Sequence, residues 1–151
     1  MDISKASVAA LPQSIIKLYL LQSLRLMGCQ RLTFPDGLRN LISLKHIHFD
    51  CESSQPVELQ YLTALQTLPM FSLGISEHRV DALKGLNERG GELLMCNLEN
   101  VRDKQEADGG DLEHKEKLCK VIFEWSTERK CNYYNDRAVL EELQPHSSLQ
   151  A

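Results

Sequence analysis

Leu38-Arg39-Asn40-Leu41-Ile42-Ser43-Leu44-Lys45-His46-Ile47-His48-Phe49 places apolar residues at steps of three and closes with a step of two. The cadence also occurs at Leu18, Leu21, Leu24 and Leu26, and again at Leu59, Leu62, Leu65, Leu68 and Met70. A step of three suits a tight 3₁₀-like backbone, and a step of two suits a strand with one buried face. One unit holding both, repeated along the chain, has the form of a leucine-rich repeat rather than of one helix or one sheet. Aligning the units gives strand cores at Leu24-x-Leu26, Ile47-x-Phe49, Leu68-x-Met70, Leu93-x-Met95 and Val121-x-Phe123. Their starts are 23, 21, 25 and 28 residues apart, within the roughly 20–29 residues of such repeats. The expected fold is therefore an α/β solenoid of about five irregular repeats. Parallel strands would line its concave face, with helices and loops on the convex face.

Composition agrees with a repeating core. Leucine supplies 25 of the 151 residues, although the apolar share is only 42%. The net charge of −4 gives no basic footprint for nucleic acid. No apolar run approaches the length of a membrane-spanning helix, and Met1 to Ala10 lacks the apolar core of a signal peptide. The five cysteines (Cys29, Cys51, Cys96, Cys119 and Cys131) include no CxxC pair. They predict reduced thiols in a cytoplasmic or nuclear protein, mostly core or near-core, with neither a disulfide framework nor a zinc knuckle.

Between the units, Pro35-Asp36-Gly37 and Ser53-Ser54-Gln55-Pro56 are turn chemistry. Pro69 lies inside the third strand and should distort its pairing, because proline has no N–H to donate. Helix formers at Asp103 to Ala107 and Leu112 to Leu118 predict one or two short convex-side helices, broken by Gly109-Gly110. A Glu113–Lys117 pair is expected on the second. Ser126 to Asp136 reads as an exposed loop. Val139 to Leu143 begins a helical turn, and Leu140, Leu143 and Leu149 restart a ladder that the sequence does not complete. Residues 1–10 are left unassigned, and 11–151 form the repeat domain, truncated at its C-terminus.

Leu11 to Leu26 (LPQSIIKLYLLQSLRL) closely resembles the LPxSIxKLYxLQxLxL repeat of plant NB-ARC leucine-rich-repeat disease resistance proteins. Leu62 to Phe71 (LTALQTLPMF), Leu83 to Asp103 (LKGLNERGGELLMCNLENVRD), Phe123 to Ser126 and Val139 to His146 (VLEELQPH) are similar to further blocks of that family, in the same order. The nearest subgroup is the coiled-coil type with the R13L1/DRL21-like repeat region. The resemblance implies a recognition segment in plant defence. Its partner would be a protein: a pathogen effector, a host target, or the receptor's own switch domain. No GxxxxGK[ST] loop occurs, so the nucleotide switch of those receptors cannot be carried over, and no cofactor is expected. A remnant of a truncated receptor, without autonomous activity, is the alternative.

Residues between the strand leucines would face the concavity. They are Ser23, Arg25 and Met27; His46, His48 and Asp50; Thr67 and Phe71; Glu92, Leu94 and Cys96; and Lys120, Ile122 and Glu124. Arg25, His48 and Phe71 are the expected anchors of a partner interface. The sharpest competing chemistry is His46-Ile47-His48-Phe49-Asp50, whose alternate residues place two imidazoles and a carboxylate on one face. That pattern is similar to the HxHxD ligands of some metal-dependent hydrolases. Those motifs continue with a further histidine, whereas Cys51 and Glu52 follow here. The expectation is a solvated recognition face and no enzyme. Trp125 shares a strand face with Val121 and Phe123 and should pack at the edge of the core.

Overall fold

The computed structural model describes residues 1–5, 8–29, 32–49, 56–74, 79–88, 90–126 and 133–144. Each unit begins with a 3₁₀ turn: Gln13–Lys17, Leu38–Asn40, Val57–Tyr61, Val80–Leu83 and, before the last strand, Leu112–His114. The leucine spacing becomes a hydrogen-bond ladder. The N–H groups of Leu18, Leu41 and Leu62 donate to the carbonyls of Ile15, Leu38 and Leu59, and the next rung joins Leu21, Leu44 and Leu65 to the first three. Five short strands follow these ladders: β1 (Ser23–Arg25), β2 (His46–His48), β3 (Met70–Ser72), β4 (Gly91–Cys96) and β5 (Leu118–Phe123). All pairings are parallel and in chain order, as a two-stranded sheet β1-β2 and a three-stranded sheet β3-β4-β5. The ladder leucines 38, 41, 44, 59, 62, 65 and 68 are buried in one continuous apolar cluster with Leu24, Ile47, Leu93 and Met95. Each contributes roughly 1.5–3 kcal/mol by leaving water. The first unit is looser: Leu18 is 45% exposed and Leu21 is half-buried.

Pro69 divides the sheet. Thr67 N–H donates to Lys45 C=O at 3.0 Å, and Ile47 N–H donates to Thr67 C=O at 3.2 Å. The next donor in this parallel ladder would be residue 69, and proline has none. Pairing resumes on the other side, where Leu94 N–H donates to the Pro69 carbonyl at 3.1 Å. The third strand therefore runs from Met70 to Ser72, two residues beyond the predicted Leu68-x-Met70. The inward phase shifts as well. Leu68 and Phe71 are both fully buried although three apart, and Phe71 lies level with the core residue Met95. A one-residue slip exchanges the two faces of a strand.

The N-terminal residues that the sequence leaves unassigned are in phase with the units. Asp2 bridges Arg25 and Ala10 bridges Thr33, both in parallel and both 23 residues apart. Ile3 N–H donates to Arg25 C=O, and Arg25 N–H donates to Met1 C=O. Ile3 and Val8 pack against the core there, which is too little for a periodicity to show.

Among the described residues two α-helices cover the C-terminal units. α1 (Lys104–Asp108) is capped by Asp103, whose carboxylate accepts from Glu106 N–H at 3.0 Å. The Glu106 carboxylate accepts in return from Arg102 N–H. It ends at Gly109 as expected, and a Cβ on the buried Gly110 would lie 2.5 Å from Val80 Cγ1. α2 (Tyr133–Glu142) buries Val139 and Leu143, one turn apart, and Lys104 Nζ meets its Glu142 at 2.7 Å. The predicted loop over Ser126 to Asp136 is thus helical from Tyr133; residues 127–132 lie outside the described set. Leu140 is 42% exposed rather than a buried rung, and Leu149 lies outside the described residues.

The predicted second helix is absent. Leu112 to Leu118 is another three-step ladder, with Lys115 N–H donating to Leu112 C=O and Leu118 N–H to Lys115 C=O. Without α geometry, residues four apart no longer share a face. Lys117 pairs with Glu88 at 2.5 Å, in place of the expected Glu113. Cys29 and Cys96 are buried, but Cys119 is exposed. It is the extra residue of a bulge where Gly91 faces Leu118 and Glu92 faces Lys120. Cys51 and Cys131 lie outside the described residues. Trp125 packs half-buried against the core.

Candidate functional site

Apart from β3, which is buried on both faces, the strands turn one face to the leucine core, and their other face carries the predicted recognition residues in cross-strand rows. On the first sheet Ser23, His46 and Thr67 lie level, and Arg25 lies level with His48. The His46 ring nitrogen Nδ1 is 3.0 Å from Thr67 Oγ1. Arg25 is more than half exposed, and its guanidinium Nε stands 3.8 Å from the Asp2 carboxylate. Half-burial, followed by the nearby Arg25 charge and by His46, pushes the His48 imidazole below its ordinary pKa. That row therefore presents one fixed cation and a neutral imidazole at neutral pH. Met27 is exposed at its end, and its backbone N–H donates to Ser4 Oγ.

The face on the second sheet has a different chemistry. Glu92 and Lys120 lie level and form an exposed ion pair at 3.8 Å, while Leu94 and the exposed Ile122 form an apolar pair beside them. Glu124 follows, exposed, accepting a hydrogen bond from Cys96 Sγ at 3.7 Å. Two predicted members of the face are covered. Cys96, level with Ser72, is 9% exposed. Phe71, expected to be an anchor, is fully buried because the phase shift at Pro69 turns it inward. Asp50 lies outside the described residues. Among the described residues no three His, Cys, Asp or Glu side chains converge as a metal site. His46 meets the Thr67 hydroxyl, and the Cys96 thiol donates to the Glu124 carboxylate.

A second concavity, an open cleft of about 480 Å³, lies between α1, the Leu112–His114 turn and α2. Asp108, Asp111, Glu113, Glu141 and Glu142 line it with Lys104 and His114. Its charges are largely paired within the protein. The hydrogen bond between Asp111 and His114 raises the imidazole pKa and lowers that of the carboxyl, and the Glu142 contact raises that of Lys104. No local sequence pattern marks this cleft, because its walls come from segments about thirty residues apart.

No helix among the described residues is long and apolar enough to cross a membrane. No curated protein matches the chain. The family comparison bears on the C-terminal units, where the leucine cadence is weakest: residues 80–151 match the family described as R13L1/DRL21 LRRs, and this part of the chain is similar to those leucine-rich repeats.

Proposed function

We propose that the chain is a non-enzymatic recognition segment of a leucine-rich-repeat solenoid, and that the outer face of its strands is the concave binding surface. The observation that carries this reading is the set of level rows: Arg25 beside His48, Glu92 beside Lys120, and Leu94 beside Ile122. Parallel stacking spends its leucines on the core and leaves these side chains oriented together on the other face. A pre-ordered set of polar, charged and apolar groups is what a protein partner needs, since little entropy is lost in fixing it. The likeness to the R13L1/DRL21 repeats supports an origin in an intracellular plant immune receptor of the NB-ARC, coiled-coil type, acting in the cytoplasm or nucleus without a cofactor in this segment. The partner would be a pathogen effector, a host target or the receptor's own switch domain.

The test is an arrayed screen of secreted pathogen effectors and plant nucleotide-switch domains against the chain. Its counterpart carries Arg25→Glu and Ile122→Asp, both at exposed positions. The expected result is at least one binder that loses tenfold or more in affinity to the variant, with the unfolding midpoint unchanged. Binders indifferent to both substitutions, or none at all, would refute the reading.

A further inference from the structure

β5 lies at the end of its sheet, so one of its edges has no neighbouring strand among the described residues. Glu124 N–H donates to the Met95 carbonyl at 2.8 Å, and Ile122 lies level with Leu94. Residues 122 and 124 therefore turn their backbone groups toward β4, and by alternation Val121 and Phe123 turn theirs outward. Those outward N–H and C=O groups meet no partner among the described residues. The side chains on the core face are also less covered than those inside the stack. Val121 and Phe123 are half-buried, whereas Leu93 and Met95 on β4 are fully buried. The other end of the molecule differs. There Ile3 and Lys5 donate toward β1 and Met27, and the outward Ser4 N–H already donates to the Asp2 carboxylate at 2.9 Å. An open strand edge is a template for a further strand.

The outer face of β5 carries Lys120, Ile122 and Glu124, all exposed. From Lys120 to Glu124 the strand reads cation, Val, Ile, Phe, anion. Reversed, it is its own complement. When two copies run antiparallel about a two-fold axis at Ile122, Lys120 of each faces Glu124 of the other, and the two isoleucines meet. The same register sets the outward groups of Val121 opposite those of Phe123, so N–H···O=C bonds form on both sides of the Ile122 pair. A slip of two residues sets Lys120 or Glu124 against Ile122 and loses the pairs of opposite charge. Lys120 already stands 3.8 Å from Glu92, and Glu124 accepts from Cys96 Sγ at 3.7 Å. An exposed ammonium and an exposed carboxylate each have room for a second partner.

We propose that the β5 edge docks a second copy of this chain, as an isologous dimer in which β5 pairs with β5 and the two three-stranded sheets become one. The two strands lie side by side, so the outer face of the joined sheet stays open. The dimer stands whether or not that face binds a protein.

Sedimentation equilibrium of the whole chain should show a monomer–dimer equilibrium. Lys120→Glu alone and Glu124→Lys alone set like charges opposite each other, and each should weaken the dimer about tenfold or more. An equimolar mixture of the two variants should associate again, because each supplies the charge that the other lacks. Each variant folds the same way alone and in the mixture, so recovery reports the interface. Amide exchange at Val121 and Phe123 should slow as the parent chain is concentrated, while exchange at Leu26 in the first sheet stays constant. A parent that remains monomeric up to roughly 1 mM, a dimer indifferent to the charge reversals, a mixture that fails to associate, or constant exchange at Val121 and Phe123 would overturn the proposal. Assembly growing past the dimer would do so too, since it marks head-to-tail stacking of β5 on the Met1–Ile3 segment of the next copy.

Discussion

Lys115 occupies a rung that Leu41 and Leu62 fill in earlier units, and its side chain is only 2% exposed. Its ammonium donates to Asn87 Oδ1 at 3.1 Å across to the preceding unit. Holding a cation there costs several kcal/mol of hydration, which its polar contacts, the Asn87 bond among them, have to offset. Asn87 is itself exposed, so water can replace the lost donor. Lys115→Met keeps the volume of the rung and removes the charge, and it should raise stability by about 1 kcal/mol in urea denaturation. Lys115→Ala removes volume as well and should lower it by about 2 kcal/mol or more. A methionine variant less stable than the parent would show that the ammonium holds the two units together.

The β1–β2 pair carries a pH dependence that belongs to the element rather than to one side chain. His48 is half-buried and faces the Arg25 charge on β1, the His46 ring on its own strand, and Asp2 on the Met1–Ile3 segment beyond Arg25. Its folded pKa lies below that of the unfolded chain, about 6.5. Below that value the unfolded chain takes up the proton more readily, so stability should decline as pH falls through 6.5 toward the folded pKa. His114 runs the other way. Its raised pKa gives stability below about 6.5 that is lost as pH rises through the folded value. His48→Gln should therefore flatten the acid side of the midpoint-against-pH curve measured between pH 7.5 and 5. An unchanged slope would dissociate the loss from β2. These elements also mark what could be read in advance. β1 and β2 were legible because four leucine steps and a two-residue alternation leave one register, and α1 because Asp103, Glu106 and Gly109 punctuate it. Leu112 to Leu118 was not, since its helix-forming residues carry the same three-step spacing as the ladder, and stacking on the Val80–Leu83 unit decides between them. At the candidate site, the rows through Arg25, His48 and Ile122 followed from alternation, whereas the inward turn of Phe71 followed from a phase slip that Pro69 announces without giving its direction.

At the scale of the whole molecule, hydrogen bonding and burial divide the units differently. The backbone ladder between β2 and the third unit ends at Pro69, leaving two small sheets. The buried side chains do not respect that break: Leu24, Ile47, Leu65, Phe71, Leu93 and Leu118 belong to one cluster. In a stack of repeats each unit is stabilised by its neighbours, so the weakest interface decides whether the stack unfolds together. Phe71 stands at that interface, fully buried, one strand beyond the break. Phe71→Ala should cost about 3–5 kcal/mol, a large part of the roughly 5–15 kcal/mol available to a domain. If side-chain packing couples the sheets, that loss is shared across both. Trp125 fluorescence, which reports the β3-β4-β5 side, and amide exchange at Leu24 and Ile47, which reports β1-β2, should then shift together. Amides at Leu24 and Ile47 that keep their protection while the fluorescence midpoint falls would show two independently folding blocks joined at Pro69.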